Sequence, residues 1–368
     1  MQFKKMLVIC PYPEGVAPSQ RLKYEQYFDH FRQNGYHITV SPFMNRKFWD
    51  IVYKKGNFHK KVFWTIAGYL KRIKDLFQIR RYDVIFITLW VTPIGLPIME
   101  RLFTLFAKSL VYDIDDLIFL GHSSAANKII SWMKGKRKMI VLMKYADHVI
   151  TCTPVLDRFV RQYNSNTTDI SSTINTDTYI PVNTYTNEKR IILGWSGSHS
   201  TAKYLHLLTP VLQKLKETHD FKLLVMGDAN FRMEGIEVES LAWSEYLEIP
   251  TLQRMDIGLY PLPDEPWVYG KSGLKALQYM ALGIPTVAEK LGPDHANHRV
   301  IEHGVSGFLA HGQEEWLHYL IQLIENPELR KKIGMAARKR VVELYSVHAN
   351  KDTYLNILNC VSEKGVAR

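Results

Sequence analysis

DEPWVYGKSGLKALQYMALGIP, Asp264 to Pro285, is the stretch on which the fold of this chain turns. Gly270 to Gly273 break the backbone where a helix begins. Leu274 to Ala281 carry the apolar spacing of a helix, and Pro285 to Ala288 read as a short buried strand. Loop, helix and strand in that order are the closing half of a parallel βαβ unit. Lys271 and Lys275 fall at the start of the helix, where the macrodipole disfavours a cation unless a counter-anion is present. A bound diphosphate resolves that conflict; the alternative is that both lysines, four residues apart on one face, reach solvent.

Working outward, Ile257 to Pro261 is the strand that feeds this unit, and the same grammar appears earlier. Arg190 to Trp195 is a strand and Thr201 to Glu217 a helix, joined by Gly194-Trp195-Ser196-Gly197-Ser198-His199-Ser200. Small residues at a helix N-terminus let backbone N–H groups approach an anion, with Lys203 in reach. The motif is neither a Walker A loop nor G-x-G-x-x-G, and such turns are often merely Gly- and Ser-rich.

Strand and helix alternate through the first half as well, from the run Lys5 to Pro11 onward, with strands at His37 to Pro42, Asp83 to Thr88, Leu110 to Ile114 and His148 to Thr153. Asn164 to Glu188, rich in Asn, Thr and Ser, reads as a tail and linker. The expectation is an α/β chain of two Rossmann-like, doubly wound domains facing a cleft: residues 1–187, residues 188–345, and a final helix, 346–368, packing back on the first domain.

Composition narrows the class. The chain has 368 residues, 46% of them hydrophobic, which suits two domains with sizeable cores. Cys10, Cys152 and Cys360 are sparse and form no CxxC pair, against a disulfide framework or structural zinc. The N-terminal apolar run is too short and too Pro-broken for a signal peptide, and Val84 to Met99 falls short of a spanning helix. The expected location is the cytoplasm. The net charge of +11 asks for an anionic partner. No nucleic-acid reader motif is present, so nucleic acid is not expected. Residues 46–81, basic and interleaved with aromatics, read either as a peripheral surface for an anionic membrane or as a solvated helical face.

In the first half, Tyr112 to Asp116 ends a strand with three carboxylates. Asp115 and Asp116 read as cleft acids or as helix caps, with His122 beyond them, and no metal is expected there. The loop from Pro11 to Arg21 offers Gly15, Ser19 and Arg21 to an anionic acceptor; a surface ion pair is the plainer reading of Arg21.

GKSGLKALQYMALGIPTVA, from Gly270 on, closely resembles the donor-binding segment of the family 4 retaining glycosyltransferases. ILGWSGSHSTAKYL resembles the phosphate loop of their C-terminal domain, and VIEHGVSGFLAHGQEEW with NPELRKKIGMAARKRVVELYS is similar to their C-terminal signature. YPEGVAPSQR, VYDIDD and STINTDTY resemble one bacterial branch. The resemblance implies the GT-B fold and transfer of a sugar, with retention, from a nucleotide-diphosphate sugar to a saccharide or lipid-linked acceptor in cell-surface polysaccharide or glycolipid synthesis. It implies no cofactor and no metal. It places the donor on Ser196, Gly197, Ser198, Lys203, Lys271, Ser272, Gly273, Leu274 and Gln278. Lys203 and Lys271 would neutralise the diphosphate, and Gln278 would reach the ribose. The acceptor falls to the first domain, with Asp115, Asp116 or His122 where the family has a catalytic histidine. The family's two glutamates, eight apart, fall here at Gly270 and Gln278. Asp264 or Glu265 is the substitute nearest in sequence, and an inactive binding subunit is the alternative function.

Overall fold

The computed structural model describes residues 3–115, 136–182, 185 and 190–366. Its contacts divide the chain into two units, Met1–Ser172 with Asn350–Arg368, and Thr173–Ala349.

The first unit is a six-stranded parallel sheet of β1 (Lys4–Cys10), β2 (Tyr36–Pro42), β3 (Val84–Thr88), β4 (Leu110–Asp113), β5 (His148–Thr151) and β6 (Thr167–Asp169), in the order β2-β1-β3-β4-β5-β6. Continuous apolar runs such as Met6–Cys10 and Val84–Ile87 are buried throughout, as strands covered on both faces must be. β6 lies inside the stretch read from sequence as linker: three polar residues at a sheet edge carry no apolar pattern, so only pairing with β5 identifies them as a strand. The C-terminal helix, Val347–Val366, contributes Tyr354 to this unit. Its ring lies 4.5 Å from that of Tyr27, and its hydroxyl donates to Asp113 Oδ2 at 3.3 Å.

The second unit holds β7 (Ile191–Ser196), β8 (Phe221–Met226), β9 (Val238–Leu241), β10 (Ile257–Tyr260), β11 (Thr286–Glu289) and β12 (Phe308–Ala310), all parallel, in the order β12-β11-β10-β7-β8-β9. Alternate residues of β8 feed two cores: Leu224 and Met226 pack on one face of the sheet, Leu223 and Val225 on the other. The chain winds outward from β7 to β9, then returns to lay β10 on the other side of β7. That reversal is the topological switch point of a Rossmann sheet, where ligands bind beyond the carboxyl ends of the strands.

The second unit begins at Thr173, earlier than the boundary expected at 187/188, because Ile174 bridges to Ser346 and Tyr179 sits in this unit's core. Arg338 fastens the segment, donating to Thr176 O at 2.8 Å and Tyr179 O at 2.6 Å. The helix expected over Thr201–Glu217 is broken into His199–Ala202, a 3-10 stretch Lys203–Leu208, and Thr209–Lys216, with Pro210 opening the last piece. No helix among the described residues is long and apolar enough to cross a membrane.

Candidate functional site

At the switch point, β7 ends in Trp195 and Ser196, and β10 ends in Tyr260. The helix Leu274–Ala281 starts beside them, capped by Gly273 at a φ of 77°, a left-handed turn that favours glycine. From its first turn Lys275 reaches back over the strand ends. Its Nζ lies 4.2 Å from the centroid of the Trp195 ring, 5.8 Å from that of Tyr260 and 3.4 Å from Thr201 Oγ1. Gly197 makes the approach possible, since a Cβ there would lie 2.4 Å from the Trp195 ring and 2.5 Å from Lys275 Nζ.

This half-buried ammonium has aromatic faces and one hydroxyl around it, and no carboxylate ion pair among the described residues. Burial pushes its pKa down to about 7, and the like charge of Lys271 adds to the effect. Lys271 Nζ lies 5.4 Å over the Trp267 ring and the exposed Lys203 lies 5.1 Å over the ring of Tyr204. Those two rings are 5.7 Å apart. Three lysines on aromatic supports therefore gather at one corner of the sheet, which suits an anion.

The loop after β7 is organised differently from its sequence reading. Ser196 N donates to the Tyr279 hydroxyl at 2.7 Å, Gly197 N to Met226 O at 2.9 Å, and Ser198 N to Thr201 Oγ1 at 3.2 Å. The amides of Ser196, Gly197 and Ser198 are thus engaged within the protein, and the three lysines supply the positive charge at this corner. Ser272 is buried and Leu274 packs against the core. Gln278 is buried, and its amide nitrogen donates to the Tyr179 hydroxyl at 2.8 Å and to Glu248 Oε1 at 3.1 Å. Any contact from Gln278 to a ribose would have to use its amide oxygen.

Of the acids considered as substitutes, Asp264 accepts from the Tyr269 hydroxyl at 3.1 Å and Glu265 from Trp267 Nε1. Asp264 also lines a cavity of about 300 Å³ with Glu289, His311 and Trp316. Burial raises the Glu289 pKa, and Trp316 Nε1 donates to its Oε2 at 3.0 Å. His295 underpins the loop between these acids and Lys271. Its Nε2 faces Val268 O at 3.2 Å while Asn297 N donates to its Nδ1 at 3.1 Å, and burial lowers its pKa to about 4.

In the first unit, Gly15 lies in the loop after β1, while Ser19 and Arg21, expected in that loop, fall in the short helix Pro18–Arg21 that Pro18 opens. Glu25 orders this segment, accepting from Gly15 N and from Gln20 Nε2, each at 2.9 Å. Asp115 follows β4, half-buried, and its carbonyl accepts from the Cys152 thiol at 2.9 Å. Asp116 and His122 lie outside the described residues. Among the described residues no three His, Cys, Asp or Glu side chains are grouped as a metal site would need.

The residue that sequence reasoning underrated is Lys275. It lies in the first turn of the helix, which Lys271, expected there too, precedes, and the resemblance assigned the diphosphate to Lys203 and Lys271. Trp195 and Gly197, which create its pocket, come from some 80 positions away and leave no local signal around Lys275.

Residues 180–340 match the family model described as glycosyl transferases group 1. Several solved structures share the fold. Sucrose-phosphate synthase from Thermosynechococcus elongatus is 15% identical, with a TM-score of 0.69 over 97% of this chain and 98% of that one. Anabaena HepE, in complex with UDP and glucose, is 16% identical, with a TM-score of 0.69 over 97% of this chain and 100% of that one. The lipopolysaccharide outer core galactosyltransferase WaaB, in its apo form, is 13% identical, with a TM-score of 0.59 over 96% of this chain and 98% of that one. A search of the curated proteins finds no match. The chain therefore has the GT-B fold and carries, over residues 180–340, a group 1 glycosyltransferase domain.

Proposed function

We propose that the protein transfers a sugar from a nucleoside-diphosphate sugar to a saccharide or lipid-linked acceptor, with retention and without a metal, in the synthesis of a cell-surface polysaccharide or glycolipid at the inner face of a membrane. The observation that carries this reading is Lys275, a cation held at the switch point of the donor-type sheet with no carboxylate partner among the described residues. As the glycosidic bond to the donor breaks, charge builds on the departing diphosphate. Lys275, with Lys271 and Lys203 beside it, stabilises that charge more than it stabilises the intact donor, which is what lowers a barrier. Asp264 and Glu289, on the same end of the sheet, are the proposed carboxyl contacts to sugar hydroxyls in place of the glutamate missing at Gly270. Gly15, Ser19, Arg21 and Asp115 are assigned to the acceptor. Retention and independence of metal rest on the family resemblance. HepE, crystallised with UDP and glucose, makes uridine the first base to try.

The test is thermal stability with UDP, GDP, ADP, CMP or dTDP, for wild type and Lys275→Met. Binding at about 100 times Kd adds roughly 2.7 kcal/mol, a shift of several degrees. One nucleotide should stabilise wild type and not the variant. The donor site is wrong if none does. Gly270 favours a second reading, a binding subunit without turnover; nucleotide release from a matching nucleotide sugar, at any rate above background, removes it.

A further inference from the structure

The helix Phe58–Gln78 of the first unit turns an apolar stripe away from the unit it packs on. Its inner face mixes aromatic and polar groups: Trp64 and Tyr69 pack against the Phe43, Met44 and Phe48 cluster, and Arg72 is fully buried, donating to Val91 O at 2.8 Å, Cys10 O at 2.9 Å and Ser41 O at 3.0 Å, and pairing with Asp75 at 2.9 Å. Lys71 donates to Pro42 O at 2.9 Å on the same side. Gly68 lets the helix lie flat on Phe43, because a Cβ there would fall 2.6 Å from that ring. Its outer face is apolar. Val62, Phe63, Ile66, Leu70, Ile73 and Phe77 recur at three- and four-residue intervals and all stand in solvent, Phe63 63% exposed, Leu70 62% and Phe77 85%. The helix Ile98–Phe106 lies against it and extends the apolar surface with Ile98 and Leu105. A soluble surface helix shows the reverse arrangement, and a contiguous apolar stripe of this size marks an interaction surface.

Charge says what covers it. Residues 46–81 hold eleven lysines and arginines against two aspartates, which is most of the net charge of the chain. Lys60 and Lys74 are exposed on this helix, with Lys54, Lys55, Arg80 and Arg81 exposed beyond its ends. Solvent-facing aromatic and aliphatic side chains along a helix axis, with lysines around them, match the boundary between anionic headgroups and acyl chains, not a protein groove. We propose that the helix Phe58–Gln78 lies in the plane of an anionic membrane, inserting the Val62–Phe77 stripe while the flanking lysines and arginines engage the headgroups. This deepens the membrane-linked reading above. It rests on the first unit alone, so vesicle binding and nucleotide binding fail independently.

The test is co-sedimentation of the full chain with vesicles of phosphatidylcholine alone or with 30% phosphatidylglycerol, at low and high salt. Wild type should bind the anionic vesicles and leave the neutral ones. The triple variant Phe63→Ser, Ile66→Ser, Leu70→Ser should lose at least tenfold in partitioning at unchanged thermal stability and unchanged nucleotide-induced shift. Lys60→Glu with Lys74→Glu should lose binding most at low salt. Wild type left in the supernatant with anionic vesicles overturns the proposal. So does equal binding by the serine variant, which would reduce the effect to charge. A dimer in solution that the serine variant dissociates, with no vesicle binding, gives the stripe to a second copy instead.

Discussion

Each unit holds a lysine at the carboxyl end of its sheet, Lys23 fully buried and Lys275 half-buried, and the two are treated in opposite ways. Lys23, in the first unit, contacts Asp113 Oδ1 and donates to Ile114 O at 3.1 Å, and the Tyr354 hydroxyl donates to the other oxygen of Asp113. Burial pulls the Lys23 ammonium down, but the Asp113 charge, with Asp115 behind it, outweighs burial and leaves its pKa above the ordinary value. Lys275, in the second unit, has burial and a like charge and, among the described residues, no carboxylate ion pair, and it falls to about 7. A compensated cation holds its own unit together. An uncompensated one costs stability until an anion arrives, and such sites are where function is bought with strain.

The largest effect expected from breaking that contrast is at the paired site. Asp113→Ala strands Lys23 in a fully buried place and should cost about 3–5 kcal/mol in a urea melt, whereas replacing both by apolar residues of similar size should come close to neutral. A loss below about 1 kcal/mol for Asp113→Ala would mean that water reaches Lys23 and that the contrast is false. The next effect runs the other way. Lys275→Met should raise the melting temperature without nucleotide and erase the shift that nucleotide produces. The sign with pH follows from the lowered pKa. Between pH 7 and the ordinary lysine value of about 10.4, the unfolded chain holds a proton that the folded chain has lost. Wild-type stability should therefore climb relative to the variant across that window. An anion needs the protonated form, so nucleotide affinity should be highest below pH 7 and decline above it.

Gly197→Ala sharpens the same comparison from the strand side. The added methyl meets the buried Trp195 ring and the Lys275 ammonium. The ammonium can swing away; the indole, 1% exposed, cannot. The expected cost is about 1–3 kcal/mol with a weaker nucleotide shift, read in the same melts. Full stability together with full nucleotide response would show that Lys275 does not sit over Trp195 in solution.

What the sequence disclosed follows the range of the interactions involved. Loop, helix and strand around Gly270–Pro285 are local, and the alternation of elements reads directly. β6 did not read, because Thr167–Asp169 is polar and owes its strand to β5. Residues 46–81 disclosed a basic and aromatic character but not which face of the helix turns outward; Arg72 with the carbonyls it meets, and Gly68 against the Phe43 ring, decide that. At the candidate site, Ser196 closes β7 and Gly197 and Ser198 follow it, and their amides are engaged with Tyr279, Met226 and Thr201. Tyr279 and Met226, about 80 and 30 residues from the amides they accept from, are invisible to a local motif, and so was the place of Lys275 over the Trp195 ring.

The smallest expected effect separates missing charge compensation from missing hydrogen bonds. His295 is as buried as Lys23, and like Lys275 it is a basic group pushed below its ordinary value, to about 4, chiefly by burial. Unlike Lys275, it is satisfied as a neutral ring: Nδ1 accepts from Asn297 N, which leaves Nε2 to donate to Val268 O. Neutrality costs this site nothing, so it should behave structurally and leave donor binding alone. As pH falls from about 6.5 to 4, the unfolded chain gains a proton on His295 that the folded chain refuses, and stability is lost over that interval. Because Asn at this position can still cap the helix Ala296–Val300, His295→Asn should keep most of the stability at pH 7 and flatten the acid limb of the melting profile. Nucleotide response at pH 7 should be unchanged. If His295→Asn instead abolishes that response, the 3-10 helix Pro266–Gly270 is part of the anion site, and the division between compensated and uncompensated groups no longer marks where the donor binds.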